Sequence, residues 1–169
     1  MELFETITTR RSIRAYTDKP VTDDSLRRIL AAGMMAPSAG NEQPWEFIII
    51  RERNTLRAIS KAHPHADMAQ YAQAVLIACG DMDRVTHGEF WVQDLAAATQ
   101  NMLLAAHALG LGSVWVGVHP RVKRVAEIRK VVPMPERIVP FALLPVGYPG
   151  EEKASQDRFS TSRVHMEKW

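Results

Sequence analysis

The sequence predicts a mixed α and β fold. Short runs of β-branched and aromatic residues are interspersed with stretches of helical apolar periodicity along the chain. No internal repeat, low-complexity tract or long linker separates them, so residues 1–169 read as a single domain, with an extended C-terminal tail from about residue 148. A chain of 169 residues is long enough to bury a core without disulfides or metals.

The elements follow in order. Glu2 to Thr8 reads as a short helix that stops before an arginine cluster. Thr22 is a candidate N-cap, and Leu26, Ile29, Leu30 and Gly33 to Met34 keep an apolar stripe until Pro37 ends the helix. The turn-rich segment Pro37 to Pro44 predicts a loop, and Trp45 to Ile50 a buried strand. Asn54 is the candidate cap of a helix through His63, closed by Pro64. Ala74 to Cys79 reads as a second buried strand. The longest helix runs from Phe90 to Leu109, with Gly110 in the C-terminal position that glycine favours. Ser113 to Val118 predicts a third strand, Val122 to Val131 a helix and Ile138 to Val146 a fourth strand; the polar tail predicts no regular structure. Leu95, Met102, Leu103 and a series of alanines leave the Phe90–Leu109 helix apolar almost all round, which requires burial on every side and favours a subunit interface.

Composition narrows the class. With 21 basic and 19 acidic residues the net charge of +2 offers no basic stripe for nucleic acid. No window approaches the roughly 18 apolar residues of a membrane span, and the N-terminal residues lack the apolar core of a signal peptide. One cysteine, Cys79, fits a reducing cytoplasm and reads as inert core.

The chemistry-bearing residues are concentrated in a few segments. In Arg10-Arg11-Ser12-Ile13-Arg14 the guanidinium forks match phosphate geometry. Extended backbone would put Arg10, Ser12 and Arg14 on one face; the alternative is a solvated basic turn. In the stiff loop from Pro37 to Trp45, Ser38 and Asn41 can hydrogen-bond a planar ring, though a plain connector has the same composition. Gly110-Leu111-Gly112 follows a helix and precedes a strand, the reverse of a dinucleotide fingerprint, and Trp115 stands where the third glycine belongs. The histidines and acids have no recognised metal-ligand spacing, and Glu151 and Glu152 read as solvated tail residues.

Together these segments resemble the nitroreductase family of flavoproteins. The matching stretches are Arg10 to Arg14 followed by Tyr16, Ala36 to Trp45, Ala106 to Gly117, and Arg163-Val164-His165 with Trp169, in the family's order and over essentially the whole chain. The resemblance implies an α+β nitroreductase-like fold, a central mixed or antiparallel sheet flanked by helices. It also implies an intertwined homodimer with one FMN in each of two interface sites, and NAD(P)H as transient hydride donor in a ping-pong reduction of nitroaromatic, quinone or related small acceptors. By position, Arg10, Arg11, Ser12 and Arg14 match the segment that grips the FMN phosphate, the ribityl chain and the pyrimidine edge. Pro37, Ser38, Ala39 and Asn41 match the loop laid against the flavin by the other subunit. Val116 and Gly117 match the backbone that approaches the ring near N5, and Arg163 matches a C-terminal basic residue on the phosphate. A further polar contact common among relatives falls at 65–70, where His65 and Gln70 are both candidates. No catalytic side chain is implied, because the flavin carries the chemistry. The segment between Ala78 and Phe90 is brief and leaves little room for the helices that roof the channel in longer members. Two alternatives stay open: a member dedicated to one metabolite, and a flavin-storage protein without turnover.

Overall fold

The computed structural model describes residues 1–169. It contains five α-helices: α1 (Leu3–Thr9), α2 (Asp23–Met34), α3 (Arg53–Ala62), α4 (Trp91–Ala108) and α5 (Val122–Val131). The five strands are β1 (Trp45–Ile50), β2 (Ala74–Asp81), β3 (Gly112–Ser113), β4 (Val116–Gly117) and β5 (Ile138–Gly147). Every paired strand is antiparallel, in the order β1-β2-β5-β3, with β4 also on β5.

Local chemistry sets the element ends. Thr22 accepts the Ser25 N–H, as its sequence position predicts. The cap of α3 is Glu52 and not Asn54: its two carboxylate oxygens take the N–H groups of Asn54 and Thr55 at 2.8 and 2.6 Å, and a carboxylate there also opposes the helix dipole. Gly110, with φ +75°, closes α4; the Leu111 N–H returns to Ala106 and the Gly110 N–H to His107, both at 2.9 Å.

The strand expected over Ser113 to Val118 is interrupted. β3 and β4 share one register on β5, Ser113 opposite Val146 and Val116 opposite Leu143. Extending that register sets Val114 against Pro145, which has no N–H to complete the pair. The Pro145 carbonyl turns instead to the Tyr16 hydroxyl at 3.2 Å.

All eight residues of β2 are buried, so the sheet is covered on both faces. On one side α2 and α4 pack with Leu26, Ile29, Leu95, Met102 and Leu144 in one cluster. On the other, α3 and α5 supply Leu56, Ile59 and Ile128 against Ile77 and Leu143. Within one chain α4 buries a single face, from Trp91 through Leu95, Ala98 and Met102 to Ala106. Val92, Ala96, Ala97 and Leu104 remain partly exposed, so the burial expected on every side is not met by this chain alone. No helix is long and apolar enough to cross a membrane.

Candidate functional site

The arginine segment runs extended beside β3. Ser12 forms a parallel bridge to Ser113, and the Ile13 N–H donates to the Ser113 carbonyl at 3.0 Å. Ile13 itself is buried against Gly112. The tail fastens the other edge. Glu151 Oε1 accepts the N–H of Arg14 and of Ala15, and Lys153 Nζ reaches both Glu151 and the Ser12 carbonyl, at 3.1 and 2.7 Å. The Arg14 N–H, with Lys153 behind it, holds the Glu151 carboxyl below its ordinary range. Glu151 is therefore a staple and not the solvated tail residue its sequence context suggests.

This anchoring divides the arginines. Arg14 opens onto a cavity of 390 Å³ lined also by His63, His65, Asp67, Met68 and the run Val114 to Gly117. Arg10 and Arg11 instead line a cleft of 540 Å³ with Ile7, Thr8 and tail residues Ser155 to Phe159. Arg11 donates to the carbonyls of Ala154, Thr8 and Arg10, while its Nη2 is buried without a partner. Arg10 carries a lowered pKa, from burial and from the charges of Arg11 and Arg158 beside it. None of Arg10, Arg11, Arg14 or Arg158 is in an ion pair. Asp157 shares the Arg10 cleft, but its Oδ1 takes the Phe159 N–H and it pairs with none of these arginines; crowded guanidinium groups left without an ion pair suit an anion.

The structure thus brings Val116 and Gly117 together with Arg14, and Arg10 together with Arg11. Ser12 lies between the two groups. Arg163 sits exposed in a turn, Thr161–Arg163, outside both cavities; the tail arginine beside Arg10 is Arg158. Of the two candidates at 65–70, His65 lines the Arg14 cavity, whereas the Gln70 amide turns to Asp67.

The loop carrying Pro37, Ser38, Ala39 and Asn41 does not line either cavity of its own chain. It is nonetheless firmly shaped. Gly40, Asn41 and Gln43 all have φ near +50°, fixed by local bonds from the Gln43 N–H to Ser38 Oγ and from its side-chain amide to Asn41. Asp94, buried on α4, accepts the Ala39 N–H at 3.0 Å. Glu42 takes the Thr86 N–H, the Thr86 hydroxyl and His87 Nδ1, and the His87 ring fills the space above Gly40. The loop is braced from two sides and offers Asn41 outward.

The two spaces, which share no lining residue, each suit a different part of an FMN. Gly117 floors the Arg14 cavity without a side chain; an added Cβ would meet only Trp115 Nε1, at 4.0 Å, so backbone is open to a planar ring there. The buried, unpartnered Arg11 Nη2 and the uncompensated Arg10 and Arg158 suit a phosphate. An antiparallel sheet between helix layers, with a cation and bare backbone facing one cavity, suits a protein that binds a planar anionic cofactor.

Comparison with known proteins narrows this. The nitroreductase family model matches residues 7–78 and 65–148. A protein of Methanothermobacter thermautotrophicus provisionally named NADH dehydrogenase/NAD(P)H nitroreductase is 46% identical over 169 residues, covering 100% of this chain and 88% of its own. A crystal structure from Clostridium acetobutylicum, provisionally an NADH oxidase, superposes with TM-score 0.94 at 39% identity, over 97% of this chain and 99% of that one. Another, a provisionally assigned nitroreductase of Desulfovibrio desulfuricans in complex with FMN, gives TM-score 0.86 at 31% identity, over 100% and 98% of the two chains. The chain belongs to the nitroreductase family.

Proposed function

We propose that this chain is an NAD(P)H-dependent FMN oxidoreductase that works as a homodimer and reduces small acceptors such as nitroaromatics and quinones. The carrying observation is the cavity that joins Arg14 to the bare backbone of Gly117; the unpaired guanidinium groups of Arg10, Arg11 and Arg158, in a separate cleft, support it. FMN held there would supply the redox chemistry between a reduced nicotinamide and the acceptor. Arg10, Arg11 and Arg158 would hold its phosphate. Arg14 would place a fixed positive charge at the ring, which favours the added negative charge of the reduced state. Gly117 would let main chain reach the ring plane.

The dimer reading draws on apolar side chains left in solvent. Leu3, Phe4 and Ile7 on α1, and Phe159, Met166 and Trp169 on the tail, are exposed in the single chain, a pattern that marks an interaction surface. A second chain would cover them and bring its Pro37–Asn41 loop to the cavity.

The test combines a visible spectrum and a size-exclusion mass of freshly purified protein with anaerobic mixing with NADH or NADPH. Flavin absorbance bleached by the nicotinamide, on a species of twice the chain mass, is expected. Arg10→Glu should bind FMN far more weakly by setting a carboxylate beside the phosphate. Flavin that stays oxidised with both nicotinamides would favour storage over catalysis.

A further inference from the structure

The Gly117 carbonyl is gripped from two directions. His63, at the end of α3, approaches it with Nε2 at 3.0 Å, and Arg124, on α5, with Nη1 at 3.1 Å. The His63 tautomer follows from its other nitrogen. Nδ1 lies 3.2 Å from the His65 N–H, an obligate donor, so Nδ1 accepts and the single proton of the neutral ring sits on Nε2, aimed at Gly117. Burial, together with the charges of Arg124 and His65, holds the pKa of His63 below the ordinary imidazole value and favours that neutral form. The ring is 1% exposed, so this geometry is enclosed by packing.

A buried, satisfied histidine is ordinarily a piece of core. Two facts set His63 apart: what it holds, and where. The Val118 N–H donates to the Phe141 carbonyl of β5. Backbone groups of successive strand residues point to opposite edges, so the N–H and C=O of Gly117 both point away from β5. The C=O is taken by His63 and Arg124. The N–H shares that edge, on a residue that floors the cavity facing Arg14. β4 is only two residues long, so the ladder holds this peptide by the single Val118 N–H bond to Phe141, and His63 and Arg124 hold its other end.

We propose that His63 and Arg124 are positioning residues for the redox site: by fixing the Gly117 carbonyl they aim the Gly117 N–H at the ring of a flavin bound in the Arg14 cavity. This rests on reading that cavity as the flavin site. The two donors act on one oxygen, so their effects are coupled. Loss of either loosens the Gly117–Val118 peptide and, through the φ and ψ freedom of Gly117, lets the preceding N–H drift; misplacement of one ångström at a reacting centre can cost about 100-fold in rate.

The test compares His63→Gln, His63→Leu and Arg124→Met with wild type, each loaded with FMN. Glutamine carries an amide nitrogen near the place of Nε2 and retains the donor; leucine has none. Rates of flavin reduction by NADH under single-turnover anaerobic conditions should fall about ten- to 100-fold in His63→Leu and Arg124→Met. His63→Gln should stay within about three-fold of wild type, and the FMN dissociation constant should shift little in Arg124→Met, whose side chain lies outside the cavity lining. The double variant should be no slower than the worse single one. The ¹⁵N amide shift of Gly117, read in the apoprotein and with FMN, should move in the leucine and methionine variants and be restored by glutamine. Should His63→Leu fail to fold, Arg124→Met and His63→Gln still decide. A Gly117 amide shift and reduction rate unchanged in Arg124→Met, on protein that binds FMN, would overturn the proposal and leave the flavin reading intact. Wild-type protein that binds no FMN would overturn both.

Discussion

Gly112→Ala is the sharpest probe of how the arginine segment is held. An alanine Cβ at this position would lie 2.6 Å from Ile13 Cγ2 and 2.8 Å from Ile13 Cβ, where carbon atoms normally rest 3.5–4.0 Å apart. Ile13 has no easy retreat, because its N–H is bonded to Ser113 and the neighbouring Ser12 bridges the same residue. Relief therefore requires residues 10–14 to move outward by about 1 Å, the shortfall from normal contact. Overpacking of this kind costs about 1–3 kcal/mol. At about 2–4 °C per kcal/mol for a domain of this size, the melting temperature should fall by about 2–12 °C. The same movement carries Arg14 away from its cavity, so FMN affinity measured by flavin fluorescence quenching should weaken about ten-fold, the equivalent of 1.4 kcal/mol. Ile13→Ala in the Gly112→Ala background removes both γ-carbons but leaves the 2.8 Å contact, so recovery should be partial and the double-mutant cycle non-additive by at least about 0.5 kcal/mol. Calorimetry showing an unchanged melting temperature with unchanged FMN affinity would refute the idea that β3 fixes the position of this segment.

Two further outcomes are expected. The Thr86 hydroxyl foremost, with His87 and the Thr86 N–H, holds the Glu42 carboxyl at about 2, below its ordinary 4.5. Its folded value is depressed, so the stabilisation is complete above the unfolded value and disappears as pH falls through the folded one. The excess of wild-type over Glu42→Gln thermal stability should be constant from neutral pH to about 5 and shrink toward pH 2; parallel curves across that window would exclude the clamp. Cys79 is fully buried and burial pushes its thiol up to about 12, so a thiol reagent should label native protein only at the rate of unfolding. Prompt labelling of native protein would contradict that packing.

Much of the fold could be read from sequence because its determinants are local. The Thr22 cap, the Gly110 stop and the apolar runs of β1, β2 and β5 each declare themselves within a few residues. What escaped has distant causes. The break in the strand after Ser113 is imposed by Pro145, a partner more than thirty residues along the chain. Glu151 and Lys153 look solvated in a polar tail, yet their partners Ser12, Arg14 and Ala15 lie 136 or more positions away. The site divides in the same way. Arg14, Val116 and Gly117 form motifs and do meet in space, whereas His63 and Arg124 belong to no motif and act through one carbonyl. Arg163, the tail arginine expected at the phosphate, lies outside both cavities of the single chain, whereas Arg158 comes alongside Arg10, a placement only packing reveals. The Pro37–Asn41 loop lines neither cavity of its own chain, and under the proposed dimer a second chain would bring it there.

The staple between Glu151, Lys153 and residues 12–15 has a bearing on biosynthesis. A ribosome releases the arginine segment early, but the carboxylate and ammonium that clasp it arrive about 140 residues later. Until synthesis passes residue 153, the early segment has no lock on its outer edge. If flavin binding requires that lock, capture of the cofactor follows synthesis of residue 153, and a chain truncated a few residues before Glu151 should take up FMN far more weakly.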